Sequence, residues 1–155
     1  MTESRDASAP VRRPLPTKSG VAAPEGFAPV EIFDPFEAHV GPQFERIEAD
    51  GSRIAAFVAD ERHVREDGTV HEGMMLTFAD AFMGGAAWRG SGGRSCVTLS
   101  MQASQLGEAK LGDTIFCRTS VDHRTRAIIF ISADFTVGDQ RVMTATSLWK
   151  VLGER

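Results

Sequence analysis

Residues 74–88, which read MMLTFADAFMGGAAW, decide the fold of this chain. The one charge in the stretch belongs to Asp80. A helix that is apolar on all sides lies inside a protein, so we expect this segment to be a buried central helix. Aspartate is rarely buried unless it is paired, because desolvation of a lone carboxylate costs free energy. Asp80 is therefore a candidate functional residue, with capping of a backbone group or pairing with a buried arginine as the structural alternatives.

The segments on both sides of this helix alternate between apolar and polar residues, as β-strands do. One strand is predicted at residues 52–59, followed by a polar loop at residues 60–73. The sequence Gly90-Ser91-Gly92-Gly93 is expected to end the helix. Strands are then predicted, in the order of the chain, at residues 96–105, 114–123, 127–137 and 141–152. We therefore expect an α+β fold in which an antiparallel sheet curls around one long central helix.

The start of the chain has a different composition. Five of the seven prolines lie in residues 1–29, together with charged and small residues. This composition predicts a flexible, proline-rich N-terminal tail at residues 1–29, followed by a single domain at residues 30–155. A short helix is predicted at residues 30–40, stopped at Gly41 and Pro42.

The net charge, the length of the apolar segment and the histidine and cysteine counts argue against several classes of function. A net charge of −4 argues against nucleic-acid binding, which requires a basic surface. A helix over residues 74–88 would be about 22 Å long, short for a bilayer, and no segment has the apolar core of a secretory signal. The four histidines and two cysteines give no metal-ligand spacing, so the cysteines are expected to be buried thiols. We therefore expect a cytoplasmic protein with no membrane partner, metal or other cofactor.

The most specific pattern surrounds the helix start and continues downstream. The sequence His71-Glu72-Gly73 comes before the helix, Ala79-Asp80 lies within it, and Leu111-Gly112-Asp113 forms a later turn. With these motifs the chain resembles the hotdog-fold thioesterases, in particular the phenylacetate-degradation (PaaI-type) acyl-CoA thioesterases, over about residues 50–152. The resemblance implies a hotdog fold and hydrolysis of an acyl-CoA to a free acid and coenzyme A. Coenzyme A is then part of the substrate.

The resemblance also implies roles for individual residues. The backbone amide of Glu72, beside Gly73 at the helix start, would stabilise the oxyanion. His71 would hold the loop or touch the substrate, with a loop histidine that bonds only to the backbone as the structural alternative. Asp80 would act as nucleophile or general base, and Thr98 would orient water, unless Thr98 is simply a good strand former.

Spacing along the helix bears on how these groups meet. Asp80 lies about 10 Å beyond Gly73, too far to serve the start of its own helix. The resemblance implies antiparallel helices in a homodimer, so that each carboxylate reaches the partner's oxyanion site. We also expect two dimers to form a homotetramer.

Two positions depart from the family pattern. Arg65 replaces an asparagine, and it either donates to the thioester or pairs with Asp80 across the dimer. Glu72 replaces the first glycine of a His-Gly-Gly motif, and it either crowds the thioester or adds a second carboxylate. A donating Arg65 leaves a thioesterase, whereas its pairing with Asp80 or a crowding Glu72 points to a non-catalytic acyl-CoA-binding protein. A second carboxylate at Glu72 points to a hydratase or dehydratase.

Binding of coenzyme A would also require positively charged side chains that contact its phosphates. Arginine is well suited to bidentate contact with phosphate. Four arginines near the predicted helix end and hairpin tip are candidates, with plain solvated charges as the alternative: Arg89, Arg94, Arg124 and Arg126.

Overall fold

The computed structural model describes residues 13–17 and 20–153. These residues form seven strands and two helices. In chain order they are β1 (Ala28–Pro29), α1 (Pro35–Val40), β2 (Phe44–Ile47), β3 (Arg53–Val58), α2 (Glu72–Gly90), β4 (Cys96–Gln105), β5 (Thr114–Arg124), β6 (Ile128–Val137) and β7 (Gln140–Val151).

The strands form one antiparallel sheet in the order β1-β2-β3-β5-β6-β7-β4. The five predicted strands are confirmed to within one residue at each end, whereas β1 and β2 were missed. Gly138, with a φ of 55°, provides the left-handed backbone for the tight turn between β6 and β7. The predicted α+β arrangement, with an antiparallel sheet packed on one main helix, is therefore confirmed.

The short helix α1 begins later than predicted. The predicted helix over residues 30–40 is wrong for its first part, because Asp34 caps the helix and Pro35 opens it. One carboxylate oxygen of Asp34 accepts hydrogen bonds from the N–H groups of Phe36, at 2.9 Å, and Glu37, at 3.1 Å. Such a cap, followed by proline at the first helical position, fixes where a helix starts. The predicted stop is confirmed, since Gly41 is the C-cap.

The central helix α2 is confirmed, and it extends beyond the predicted residues 74–88 at both ends. One of its faces packs on β4, β5, β6 and β7 through buried side chains, among them Phe78, Phe82 and Met83. At Gly84 the helix approaches the sheet so closely that an added Cβ would lie 2.9 Å from the ring of Trp149. The apolar sequence of α2 therefore provides the helix side of the core, and the strands provide the rest.

The opposite face of α2 is not covered by its own chain, so the expectation of a helix buried on all sides is wrong for the single chain. Leu76 is 43% exposed and Trp88 is 54% exposed. Asp80 is also exposed, so its predicted burial is wrong for the single chain. The physical reason is that the sheet of one chain covers only one side of the helix, which leaves an apolar face without a partner.

Strand β4 forms one edge of the sheet. It pairs with β7 on one side, and no other strand among the described residues pairs with its free edge. Val97 and Leu99 on this strand are 43% and 52% exposed. An exposed edge strand with apolar side chains is a surface that can pair with another chain.

The predicted tail lies partly outside the described residues, which omit residues 1–12, 18 and 19. Within the described part, Ala28 and Pro29 form β1 and pair with β2, and the N–H of Leu15 donates to the carbonyl of Ile32 at 2.7 Å. The flexibility of residues 1–29 and the domain boundary after residue 29 stay predictions.

Candidate active site

The start of α2 is held by the loop that precedes it. His71 is the N-cap, and its Nδ1 accepts a hydrogen bond from the N–H of Gly73 at 2.9 Å. The N–H of His71 donates to the carbonyl of His63, and the N–H of Val70 donates to the carbonyl of Ala109, both at 2.8 Å. These contacts support the predicted loop-holding role of His71, whereas its contact with a substrate stays a prediction.

The first N–H groups of a helix have no carbonyl partner in a preceding turn, so they are left to side chains, water or a ligand. At the start of α2, the Gly73 amide bonds to the His71 ring, and the amides of Met74 and Met75 bond to the His71 carbonyl at 2.9 and 3.2 Å. Among the described residues, the Glu72 amide has no acceptor. This free N–H, at the positive end of the helix dipole, is the group predicted to stabilise an oxyanion.

Asp80 and Thr98 form a hydrogen-bonded pair on the exposed side of α2. The hydroxyl of Thr98 donates to Oδ1 of Asp80 at 2.7 Å. The β4–β7 register shifts between Thr98 and Ser100, which leaves Leu99 as the extra residue of a bulge. Bulges beside active sites commonly re-aim side chains, and here the bulge directly follows the residue that contacts Asp80. The structure thus brings two predicted site residues together.

Arg65 and Glu72 form an ion pair beside the helix start. Both side chains are substantially exposed, and both line a cleft of about 140 Å³ with Met75 and Val142. The two positions that depart from the family pattern are therefore partners within one chain. Arg65 neutralises Glu72 here, while Asp80 accepts from Thr98.

A groove of about 670 Å³ runs beside Asp80, and we call it the Asp80 groove. It lies between α1, α2 and β4, and its lining residues are Asp34, Phe36, Glu37, Leu76, Thr77, Asp80 and Met101. Burial, and then the nearby charges of Asp34 and Asp80, raise the pKa of Glu37. Sequence reasoning missed Glu37, because only the packing of α1 beside α2 brings it near Asp80.

His63 connects the loop before α2 to the end of α1. Its ring is buried, accepts from the N–H of Asp60 at Nδ1 (3.0 Å) and lies 2.7 Å from the carbonyl of Val40 at Nε2. The neutral tautomer protonated on Nε2 satisfies both contacts. Burial lowers the pKa of His63, although the contact with Val40 and the charge of Asp60 oppose this effect. Neutral His63 therefore holds the helix-start loop in place.

We expect the free energy of unfolding to fall as the pH drops below about 6.5, the ordinary value for histidine. The folded-state pKa of His63 is lowered, so the unfolded chain binds more protons in this window. The contribution of neutral His63 to stability is complete above the pKa of this residue in the unfolded chain. It is lost as the pH falls through the pKa of His63 in the folded protein. Urea unfolding at several pH values measures how the free energy of unfolding changes with pH. The variant His63→Gln should lack the part of this pH dependence that His63 causes. Equal slopes for both proteins would contradict the prediction.

The four predicted phosphate-binding arginines are not all in one place. Arg94 lies in the loop after α2, where its N–H donates to the hydroxyl of Ser91 at 2.9 Å. The hairpin that carries Arg124 and Arg126 is at the same end of the sheet, since backbone hydrogen bonds join residues 127 and 151 and residues 152 and 95. Arg89 is in the last turn of α2 on the side of Arg53. None of the four lines the Asp80 groove.

Three further expectations concern metal ligands, cysteines and membrane-spanning helices. Within residues 13–17 and 20–153, no three histidine, cysteine, aspartate or glutamate side chains come together as metal ligands. Both cysteines are free: Cys117 is buried as expected, whereas Cys96 is only partly buried. In the same part of the chain, no helix has the length and hydropathy to cross a membrane. The lack of a cofactor and the cytoplasmic location stay predictions.

An antiparallel sheet packed on one long helix is the arrangement of the hotdog class of proteins. The family described as the thioesterase superfamily matches residues 67–144. A Pseudomonas aeruginosa protein named “Putative esterase PA0474” is 32% identical over 127 residues, which cover 81% of this chain and 95% of the relative. The chain therefore belongs to the thioesterase superfamily, which supports a hydrolase activity.

Solved structures give the same fold. A conserved protein of Pseudomonas aeruginosa has a TM-score of 0.70 at 22% identity, covering 77% of this chain and 94% of that protein. A hypothetical thioesterase of Streptococcus pneumoniae TIGR4, solved with coenzyme A, has a TM-score of 0.65 at 24% identity. The match covers 73% of this chain and 90% of that protein. The hotdog fold predicted from the sequence is thus confirmed, whereas the narrower PaaI-type assignment stays a prediction.

Proposed function

We propose that this chain is an acyl-CoA thioesterase that hydrolyses a thioester to a free acid and coenzyme A. One observation carries the proposal: the carboxylate of Asp80 accepts the hydroxyl of Thr98 at 2.7 Å on the wall of the Asp80 groove. Membership in the thioesterase superfamily and the coenzyme A bound to the Streptococcus relative support the class of substrate. The narrower relationship to the PaaI-type enzymes is part of this proposal.

The chemistry requires a donor for the oxyanion and a group that delivers an oxygen atom. The free amide of Glu72 would bind the carbonyl oxygen, where negative charge develops. Asp80 would take a proton from water as the water oxygen attacks the carbonyl carbon, with Thr98 holding the water in line. The tetrahedral intermediate then expels the thiolate of coenzyme A, which recovers a proton. Direct attack by Asp80, through an anhydride that water hydrolyses, is the other form of the same reaction.

These groups require a second copy of the chain. Glu72 and Asp80 are on the same continuous helix, so their backbones are separated by about 12 Å along its axis. Two antiparallel helices in a homodimer would bring the carboxylate of one copy to the amide of the other. The uncovered apolar face of α2 and the free edge of β4 support such pairing. Assembly of two dimers into a homotetramer is a further part of the proposal.

The phosphates of coenzyme A would bind to arginines outside the groove. The loop after α2 and the β5–β6 hairpin carry Arg94, Arg124 and Arg126 at one end of the sheet. Together with Arg89 they are the candidates, because guanidinium groups bind phosphate bidentately. The groove itself has no arginine or lysine among its described lining residues, so it suits the acyl group better than the nucleotide.

One observation favours a second function, the binding of an acyl-CoA without hydrolysis. The ion pair between Arg65 and Glu72 lies at the helix start, where the thioester carbonyl would approach the Glu72 amide. A fixed ion pair there would keep the carbonyl from the amide and leave only binding. Because both side chains are substantially exposed, the pair can also rotate away when a substrate enters.

A panel of acyl-CoA thioesters distinguishes these functions. We expect the purified protein to release free thiol from at least one saturated or aromatic acyl-CoA, measured with a thiol reagent. A change in the enoyl-thioester absorbance without thiol release would indicate a hydratase or dehydratase instead. Tight binding by calorimetry without either reaction would establish the non-catalytic alternative and overturn the proposal.

A further inference from the structure

The Asp80 groove contains an unusual concentration of negative charge. Three of its lining residues are carboxylates, namely Asp34, Glu37 and Asp80, and its described lining includes no lysine or arginine. One Asp34 oxygen is fixed by the backbone amides at the start of α1, and one Asp80 oxygen accepts from Thr98. These bonds hold two of the charges in place, so the part of the groove formed by one chain presents a fixed negative wall.

Glu37 is the third carboxylate, and it lies beside the other two in the groove. Its side chain is half-buried, and no described residue gives it a hydrogen bond or an ion pair. Burial, and then Asp34 and Asp80, raise the pKa of Glu37. Another anion in the same space would meet the same unfavourable burial and the same neighbouring negative charges.

The rest of the lining is apolar. Phe36 is 59% exposed, Leu76 is 43% exposed, and Met101 completes the wall from β4. Transfer of a hydrocarbon group from water to such a surface is favourable, roughly in proportion to the apolar area buried. The nucleotide end of coenzyme A carries several phosphate charges, which this wall would repel. The acyl group is therefore the part of the substrate that matches the groove.

We propose that Glu37, together with Asp34, makes the Asp80 groove selective for thioesters with uncharged acyl groups and excludes acyl groups that end in a carboxylate. The inference rests on the proposed thioesterase function, because it assigns the acyl side of that site. Glu37 is then a specificity-determining residue, which acts by its charge on the far end of the acyl group.

Butyryl-CoA and succinyl-CoA test this proposal, because their acyl chains have the same number of carbons and succinyl-CoA has a carboxylate at the end. We expect the wild-type kcat/KM for butyryl-CoA to exceed that for succinyl-CoA by at least about tenfold, since like charges in contact are strongly unfavourable. Glu37→Gln should lower this ratio by about threefold or more, mainly through faster turnover of succinyl-CoA. The exposed Glu31 does not line the groove, so Glu31→Gln should leave the ratio unchanged.

A second variant guards against a folding defect in the first. Asp34→Asn removes a charge but keeps a good N-cap for α1, and it should lower the ratio in the same direction. A wild-type ratio near unity, or a ratio that neither variant changes, would overturn the role of Glu37 while leaving a thioesterase. A protein that releases no thiol from any thioester would overturn the proposed function itself, and this inference with it.

Discussion

Replacement of Asp80 by asparagine is expected to lower kcat/KM for the preferred acyl-CoA by about 10³-fold, within the range of a lost general base or nucleophile. Asparagine has almost the same shape, and its carbonyl oxygen can still accept the hydroxyl of Thr98, now 2.7 Å from the carboxylate. What the variant loses is the charge and the basicity. Thiol release at substrate concentrations below KM measures the effect.

Two other variants separate catalysis from structure. Thr98→Val keeps the branched shape of the side chain but removes the hydroxyl, and it should cost about tenfold because only the positioning of the water or carboxylate is lost. Asp122 also accepts a hydrogen bond from a hydroxyl, that of Ser132 at 2.8 Å, but it does not line the Asp80 groove. Asp122→Asn should therefore have wild-type activity. Activity of Asp80→Asn within about twofold of wild type would contradict the proposed role, given the smallest effects expected of a catalytic base.

The sequence was sufficient to predict the long elements, because their patterns are local. Strands β3 to β7 alternate over many residues, and the central helix has few polar positions. By contrast, β1 has two residues and β2 has four, too few for a periodic signal. The start of α1 was placed too early because apolar residues precede Asp34, and the cap formed by that residue outweighs them.

The burial of Asp80 could not be predicted from one chain. The helix residues are apolar on nearly all sides, but the sequence does not say which covering surface belongs to its own sheet and which to another copy. In the single chain, Asp80 and Leu76 are both exposed on the uncovered face. The apolar pattern thus agrees with the proposed homodimer, in which a second copy would cover this face.

The partners within the site were the least predictable part. Arg65 and Glu72 each stood out as departures from the family pattern, but only the coordinates show that they pair with each other. Glu37 gave no signal in the sequence, because its importance depends on the position of α1 beside α2. The free amide of Glu72 was expected from the resemblance, and the cap by His71 accounts for the neighbouring amide.

Replacement of Glu72 by proline is expected to reduce kcat by about 10²–10³-fold, because it removes the backbone N–H proposed to bind the oxyanion. Proline is well tolerated at the first position of a helix, where that N–H has no partner in the helix. Glu72 occupies this position, and His71 before it has an extended backbone with ψ of 134°, as a residue before proline requires. The fold should therefore survive a change that deletes one donor.

Glu72→Ala is the matched control, since it breaks the same ion pair with Arg65 but keeps the amide. Its kcat should lie within about threefold of wild type, because exposed ion pairs contribute little. Equal losses in the alanine and proline variants would assign the effect to the glutamate side chain and overturn the role of the amide. Equal melting temperatures and circular dichroism spectra would show that both variants remain folded.

A mixture of Asp80→Asn and Glu72→Pro chains is expected to regain activity that neither variant has alone. In a mixed dimer, one site combines both defects, whereas the other combines the intact carboxylate of one chain with the intact amide of its partner. Random pairing gives mixed dimers half of the time, so activity should recover to about a quarter of wild type in a symmetric dimer. Co-expression or joint refolding provides the exchange, and thiol release provides the measurement. If one chain contained a complete site, the mixture would stay as inactive as its parents, because every chain in it would still lack either the carboxylate or the amide.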